Sequence, residues 1–218
     1  MTQRNKALAL LVGVDMKLLI TSSLTLAVLL SLASTASAGD FSARLGFGSF
    51  NPKSDNGVIA GANSEVSSET GVFIGASYYL NDQWELTLDM PVSALEHQVN
   101  LAGLGDVVSL EQRATILGVN YRFMAGESFS PYLGLGYAMV GVSNVRGIGA
   151  LAGAPLQVDD SDSFSFALGG DYMINDQWSI RGEARYIDFE SDVSLAGGNV
   201  GTASVDPWQI TVFAGFRF

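Results

Sequence analysis

Hydrophobic and polar residues alternate along the last thirteen residues of the chain, from Asp206 to Phe218. A period of two predicts a β-strand, because successive side chains of a strand point to opposite faces. One face is entirely apolar, with Trp208, Ile210, Val212, Ala214, Phe216 and Phe218, and the other is mixed, with Gln209, Thr211, Phe213, Gly215 and Arg217. A wholly apolar face suits lipid, in which backbone groups must be paired within a closed sheet. The pattern therefore favours a strand of a membrane barrel.

The same alternation recurs in seven earlier segments. They predict strands at 40–50, 70–80, 84–96, 115–123, 133–139, 164–174 and 178–186. Short turns at 81–83, 124–130 and 175–177 alternate with glycine-, proline- or polar-rich stretches, which predict irregular external loops at 51–68, 97–106, 143–162 and 188–205. Eight strands with alternately short and long connections predict an all-β fold, an eight-stranded antiparallel transmembrane β-barrel with its short turns in the periplasm.

The tetrapeptide Asn-Asp-Gln-Trp occurs twice, at 81–84 and 175–178, and each copy follows a tyrosine three residues before its asparagine. Both copies fall at predicted periplasmic turns. Aromatic residues are enriched at the membrane–water interface, so a shared structural role is favoured over a duplicated active site.

The first 38 residues predict a signal segment in front of a barrel domain at 39–218. Met16 and Lys17 give a short basic start, residues 18–32 are mostly apolar, and Ala36-Ser37-Ala38 is typical of a cleavage site. Met16 is also a candidate for the true initiator. An uncleaved membrane anchor is the competing interpretation, but the apolar run is shorter than the roughly 20 residues of a spanning helix.

Composition narrows the function classes. The chain has 25 glycines, only 15% charged residues and no cysteine, which excludes disulfides and thiol chemistry. Residues 39–218 keep 8 basic and 21 acidic side chains, a formal net charge of −13. Such an acidic protein is not expected to bind nucleic acid.

Three motifs give the chain a family resemblance. They are Tyr172-Met-Ile-Asn-Asp-Gln-Trp178, Pro131-Tyr-Leu-Gly-Leu-Gly136, and the ending Asp206-Pro-Trp208 through Gly215-Phe-Arg-Phe218. In these motifs, and in their order, the chain resembles the OmpW family of outer-membrane proteins. The resemblance implies an eight-stranded barrel proposed to pass small hydrophobic solutes. It also implies a place in the outer membrane of a Gram-negative bacterium, with membrane lipid as a partner.

The inward positions of the predicted strands can be sorted by height. Near the periplasm they collect charged side chains, namely Arg44, Arg122, Arg181, Arg185 and Arg217 with Glu85, Asp89, Asp171 and Glu183. Arginine can bond carboxylates in two-bonded pairs, so these residues predict a charge plug that stabilises and seals the lumen.

Farther from the periplasm the inward positions are apolar. They predict a hydrophobic lumen pocket of Phe50, Phe73, Leu95, Ile116, Val140, Val142, Ile187 and Phe189. An eight-stranded barrel is wide enough for its own side chains or one small ligand. These residues are therefore either filler or a binding place for an apolar solute, and the sequence leaves both open.

Other chemical signals are weak. His97, the only histidine, is near Ser93 and Glu96, which raises the possibility of a lipid-hydrolysing site, but plain surface is favoured and no catalytic residue is assigned. Asp159, Asp160 and Asp162 lack the glycine and distal glutamate of a calcium loop, so neither a metal nor a cofactor is expected.

The favoured function is a channel or carrier for small hydrophobic molecules, with lateral exit above the plug. The alternative is a structural or adhesive barrel that acts through its acidic loops.

The chain ends with the aromatic residues Phe216 and Phe218, with no tail after them, which resembles the signal read by the barrel-assembly machinery. That machinery, membrane lipid and a hydrophobic solute are the expected partners.

Overall fold

A computed structural model describes residues 41–218, and the predicted signal segment 1–38 with its alternative start lies outside the described residues. The eight segments of alternating pattern form the long strands of the wall: β1 (Phe41–Asn51), β4 (Glu69–Tyr79), β5 (Trp84–Pro91), β7 (Gly105–Arg122), β8 (Phe129–Gly147), β10 (Ser161–Met173), β11 (Trp178–Asp188) and β14 (Trp208–Arg217). No helix in this part of the chain is long and apolar enough to cross a membrane.

The wall closes on itself through antiparallel neighbours. Its strand order is β7-β5-β4-β1-β14-β11-β10-β8, and β8 returns to β7. The first and last strands pair from Ser42↔Arg217 to Asn51↔Trp208. Large apolar side chains cover the outer surface, where Phe47 is 60% exposed and Phe164 is 69% exposed. Such exposure is costly in water and favourable in lipid, so the predicted transmembrane β-barrel is confirmed.

The two Asn-Asp-Gln-Trp segments form the same turn. Asn81 Oδ1 accepts hydrogen bonds from the Gln83 and Trp84 N–H groups, both at 2.9 Å. Asn175 Oδ1 accepts the equivalent bonds from Gln177 and Trp178, at 3.0 and 2.8 Å. An asparagine side chain can stand in for a backbone acceptor in a tight turn, which is a structural reason for the repeat.

Six shorter strands lie at the opposite end from these turns: β2 (Val58–Ile59), β3 (Ala62–Val66), β6 (Leu95–Leu101), β9 (Leu156–Val158), β12 (Glu190–Leu195) and β13 (Gly198–Ser204). With the outer parts of β7 and β8 they build a β-structured region, called the extension below. Ala60 N–H donates to Val200 O at 2.8 Å and Ser204 N–H donates to Asn56 O at 3.0 Å, which joins separate hairpins. The prediction of four irregular loops was therefore wrong.

The chain end belongs to an aromatic cluster at the rim with the short turns, which is the predicted periplasmic rim. The ring of Phe216 lies 5.0 Å from Trp178 and 5.2 Å from Phe218. The Phe218 N–H donates to Phe41 O at 3.0 Å, so the last residue is tied to the first described strand. This is where the structure places the two residues of the predicted assembly signal.

Candidate functional site: a cavity above a charged layer

The continuous path of β11 and β12 shows how the interior is divided by height. Its inward side chains, from the periplasmic end outward, are Arg181, Glu183, Arg185, Ile187, Phe189, Ser191 and Val193, all buried. Because side chains alternate along a strand, each of these residues lies about 7 Å beyond the previous one. The interior thus changes from charged to apolar along a single strand path.

The charged layer consists of four arginines and four carboxylates, each no more than 6% exposed: Arg44, Arg122, Arg181, Arg185, Glu85, Asp89, Asp171 and Glu183. They project from β1, β5, β7, β10 and β11, so strands around the wall contribute to one layer. Charges this far from water require partners, because an isolated buried ion is strongly unfavourable.

Arg181 is the centre of the charged layer. Its Nη2 lies 2.8 and 2.9 Å from the two oxygens of Glu85. Its Nε and Nη2 donate to Asp171 at 2.7 and 2.6 Å in a two-bonded arrangement. One guanidinium therefore joins two carboxylates from different strands, a geometry that lysine does not offer.

The other three arginines complete the layer around Arg181. Arg44 lies 2.7 Å from Asp89 and 3.3 Å from Glu85. Arg185 lies 2.9 Å from Glu183 and 3.5 Å from Asp89. In addition, Arg122 Nη2 lies 3.7 Å from Asp171. All eight members are thus linked by ion pairs.

Arg217 was predicted in the same group, and it lies at the height of Arg122, since the two backbone N–H groups donate to Gln177 O and Gln83 O of equivalent turns, both at 2.8 Å. Arg217 is partly buried, and its guanidinium lies 4.3 Å from the centre of the Tyr79 ring, over which Arg122 also lies at 5.1 Å. The charged layer also has neutral members, which were not predicted. Tyr132 donates to Glu183 at 2.7 Å, and the Asn120 amide donates to Glu85 at 3.2 Å. Both residues occupy inward-facing positions of the alternating pattern, on β8 and β7, and this pattern could have identified them.

A packed apolar layer lies directly above the charged layer. It consists of Phe50, Phe73, Leu95, Ile116, Val140 and Ile187, all buried. A side chain built at Gly136 would meet Ile116 Cγ2 at 3.0 Å and Arg185 Nη1 at 3.1 Å, so this glycine borders both layers. These six residues are six of the eight predicted to line a lumen pocket.

The outer cavity lies above this packed layer, inside the extension, and has a volume of about 110 Å³. Eighteen of its twenty lining residues have apolar side chains. They are Ile59, Ala60, Val66, Val99, Leu101, Leu104, Val108, Leu110, Val142, Leu151, Leu156, Val158, Phe189, Val193, Leu195, Val200, Ala203 and Val205, and the two polar ones are Gln112 and Ser191.

Only two of the eight residues of the predicted pocket, Val142 and Phe189, line the cavity. The cavity lies one layer farther out than the sequence placed it, because most of its wall comes from segments that were interpreted as loops. The alternation at Leu95, His97, Val99 and Leu101 was the signal that those segments continue as strand.

His97 is buried in the floor of the extension, and the expectation of plain surface was wrong. It is 0% exposed, its ring lies 5.2 Å from that of Phe50, and its Nδ1 donates to Ser67 O at 2.8 Å. Nε2 has no hydrogen-bond partner among residues 41–218. Burial lowers the pKa of His97, so the ring is neutral at neutral pH. Glu96 lies on the opposite face of β6, bonded to Ser109 at 3.0 Å.

The acidic segment near residue 160 makes backbone contacts. Asp160 Oδ1 accepts a hydrogen bond from Val142 N–H at 2.7 Å. Within residues 41–218, no three His, Cys, Asp or Glu side chains come together in a way that would hold a metal ion.

The wall has an irregular seam where β4 meets β5 and β6. The ladder between β4 and β5 extends to Phe73↔Pro91, followed by a 2.8 Å bond from Val92 N–H to Val72 O. Farther along the seam, Ser67 N–H donates to Gln98 O at 2.9 Å. On the other side of the same segment, pairing with β7 stops at Asp89↔Ile116 and resumes at Leu95↔Gln112.

Comparison with known proteins agrees with this architecture. Outer membrane protein W of Vibrio cholerae is 28% identical over 88% of this chain and 97% of its own. Outer membrane protein AlkL of Ectopseudomonas oleovorans is 24% identical over 74% of this chain and 72% of its own. The crystal structure of OprG from Pseudomonas aeruginosa superposes with a TM-score of 0.72 at 27% identity, covering 83% of this chain and 96% of that one.

Residues 22–218 match the family described as Outer membrane protein beta-barrel domain, which is most of the chain. These matches place the protein in the lipid of the outer membrane of a Gram-negative bacterium. The chain therefore belongs to the family of outer membrane protein beta-barrel domains, and its resemblance to the OmpW family is confirmed.

Proposed function

We propose that the protein is a channel for small hydrophobic molecules, which enter the outer cavity and leave sideways into the bilayer above the charged layer. At the coarser level, that of a small-molecule channel, the outer-membrane barrel relatives support this function. The observation that carries the finer proposal is the vertical order of the interior, with an apolar cavity outermost and eight paired charges nearest the periplasm.

The size and lining of the cavity fit a small apolar occupant. An engineered cavity of roughly 150 Å³ lined by Leu, Ile and Phe binds benzene, and the volume here, about 110 Å³, is of the same order. Transfer of apolar surface out of water contributes roughly 25 cal/mol per Å². A single ring or a short alkyl chain therefore gains free energy on entering.

The charged layer opposes direct passage to the periplasm. Four arginines and four carboxylates fill the cross-section, with pair distances between 2.6 and 3.7 Å. An apolar molecule would have to separate these pairs and would offer them no hydrogen bonds, which is unfavourable for buried charges.

The seam between β4 and β6 is the proposed exit. Pro91 has no N–H to donate, and because Val92 N–H bonds to Val72 on β4, the missing donor lies on the β7 side, where pairing stops at Asp89↔Ile116. Above it, the Leu95 side chain lies against Gly71, since Leu95 Cδ2 would be 2.7 Å from a Cβ built there. Leu95 belongs to the packed apolar layer, so displacement of this one side chain would connect the interior with the seam.

The test compares buried and exposed acid substitutions. Val193→Asp places a carboxylate in the cavity wall and Leu95→Asp places one at the proposed exit, whereas Val58→Asp places one on the exposed surface of the extension. Uptake of radiolabelled toluene by cells is measured, corrected for cells without the protein and for the amount of folded barrel. The buried acids should lower the protein-dependent uptake about tenfold, because an apolar site loses affinity when it contains a charge. Val58→Asp should leave it unchanged.

If Val193→Asp and Leu95→Asp barrels fold and uptake equals that of the unaltered protein, the cavity is not a route for solutes. The structural or adhesive interpretation would then replace the channel. If Val193→Asp alone lowers uptake, solutes use the cavity but do not pass Leu95, and lateral exit at this seam is wrong.

A further inference from the structure

The apolar wall of the outer cavity contains one buried hydroxyl that lacks a partner. Ser191 is 4% exposed, and its Oγ has no hydrogen-bond partner among residues 41–218. It lies on β12 between Phe189 and Val193, which line the same cavity. Unpaired buried polar groups are uncommon because they lose their bonds to water and gain none in return. The hydroxyl therefore requires an explanation that packing does not supply.

Gln112 is the second polar side chain in the wall, and it is also buried. It comes from β7, on a different hairpin from Ser191. A serine hydroxyl both donates and accepts, and a glutamine amide carries two donors and an acceptor. Both residues can thus bond to an oxygen atom of an occupant, whether that atom belongs to a hydroxyl or to a carbonyl.

We infer that the occupant of the outer cavity is a small, mainly apolar molecule carrying one uncharged oxygen group, a hydroxyl or carbonyl, which Ser191 and Gln112 bind. This inference rests on the proposed function and specifies its substrate class. A plain hydrocarbon fills the same volume but leaves the Ser191 hydroxyl unpaired. A site with a buried hydrogen-bonding group discriminates against an analogue that cannot bond to it.

The lining also excludes an ionised group on the occupant. None of the twenty residues that line the cavity within the described part of the chain is charged. A carboxylate or ammonium group would lose its hydration on entry and would meet no opposite charge. The substrate class is therefore neutral alcohols, phenols, ketones or aldehydes of about one ring in size.

Toluene and phenol are the two probes for this inference, because a methyl group in one takes the place of a hydroxyl group of similar size in the other. Refolded protein is titrated with each by calorimetry in detergent micelles, and the heat of empty micelles is subtracted. The measured quantity is the ratio of the two dissociation constants. Partition of the probes into micelles is the same for every variant, so it does not affect the comparison of this ratio between variants. Ser191→Ala should shift this ratio about fivefold against phenol, since one neutral hydrogen bond is lost. Gln112→Leu should shift it in the same direction.

Two further serine variants separate hydrogen bonding from packing. Ser191→Thr keeps the hydroxyl and suits a strand, so it should keep the ratio of the unaltered protein. Ser163 is also buried with an unpartnered Oγ but does not line the cavity, so Ser163→Ala should leave the ratio unchanged.

The outcomes are distinct for the two claims. If both probes bind and the ratio is the same in Ser191→Ala, Gln112→Leu and the unaltered protein, the oxygen-bearing substrate class is wrong while the proposed function stands. If neither probe binds the unaltered protein, the proposed function and the inference both fail.

Discussion

The membrane part of β11 and its continuation in β12 have their polar and apolar side chains on opposite faces. In the membrane, β11 points Arg181, Glu183 and Arg185 inward, while Ile180 on its outer face is exposed. In the extension, Val193 points inward on β12 and the acidic residues Glu190 and Asp192 point outward. The backbone alternation is the same in both, and only the surrounding solvent differs. One strand path is thus built as a membrane protein at one end and as a water-soluble protein at the other.

The two regions are also held together by different interactions. The charged layer depends on a few directional pairs, such as Arg181 with Asp171 at 2.6 Å, and loss of one partner leaves an ion buried. The extension depends on many apolar contacts of small individual value, together with the strand bonds of its hairpins. Damage to the charged layer should therefore affect the whole barrel, and damage to the extension should remain local.

The largest expected effect is that of Arg181→Ala. It leaves Glu85 and Asp171 without their shortest ion pairs and should lower the free energy of unfolding by about 3–5 kcal/mol. The measurement is a denaturant midpoint of refolded protein, followed by the loss of the heat-modifiable band. Lys53→Ala is the control, because the Lys53 side chain is 41% exposed and its pair with Asp206 is worth at most about 1 kcal/mol. Equal midpoints for the two variants would show that the charged layer does not stabilise the barrel.

A smaller and more local effect is expected for Leu101→Ala. Leu101 is buried in the wall of the outer cavity, and truncation of a buried leucine costs about 2–5 kcal/mol. Limited proteolysis should show faster cleavage within the extension, while the membrane strands stay protected and the heat-modifiable band is kept. Leu104→Ala is the matched control, because Leu104 is exposed although it borders the same cavity. Simultaneous loss of protection in the membrane strands would mean that the two regions unfold as one unit.

The smallest effect concerns pH and acts through His97. Burial lowers its pKa below the ordinary value of 6.5, against the opposing influence of the bond to Ser67 and of nearby Glu69. The folded extension therefore binds a proton less readily than the unfolded chain. Its stabilising contribution is complete above pH 6.5 and is lost as the pH falls below that value, by at most about 1.4 kcal/mol per pH unit.

Protease sensitivity of the extension at pH 7.5 and pH 5 measures this effect. The unaltered protein should be cleaved faster at pH 5, and His97→Gln, which does not titrate in this range, should show a smaller difference between the two conditions. An identical difference in His97→Gln would assign the acid sensitivity to other groups.

The membrane part of the fold was predictable because lipid imposes a strict pattern. Apolar residues at every second position, such as Phe164 and Phe166, must face the lipid. The residues between lipid-facing positions, including Arg44, Glu85 and Arg181, must therefore face inward. Arg217 faces inward as well and lies beside Tyr79, as Arg122 does. The alternating pattern predicts whether a side chain points inward or outward. Which partners the side chain meets depends on the curvature of the wall and on the height of the residue in it.

The extension was not predictable in the same way, because a strand in water tolerates polar residues on its outer face and many glycines in its turns. Residues 188–205 contain Glu190, Asp192 and Gly197-Gly198, which are typical of a loop, and yet they form β12 and β13. The position of the outer cavity depends on pairing between hairpins that are distant in sequence, such as Ala60 with Val200. Composition carries no information about such pairs.

The ladder between β1 and β14 has a consequence for how the chain folds. Ser42 pairs with Arg217, and the Phe218 N–H bonds to Phe41 O, so the barrel is closed by residues at the two ends of the described chain. Contacts of such long sequence separation form slowly, because the entropy of ordering the intervening chain is lost before the contact is gained. Until then, β1 and β14 both present unpaired backbone groups on open sheet edges, which can recruit other chains. The interval before β1 and β14 pair is therefore one in which the chain is prone to aggregate.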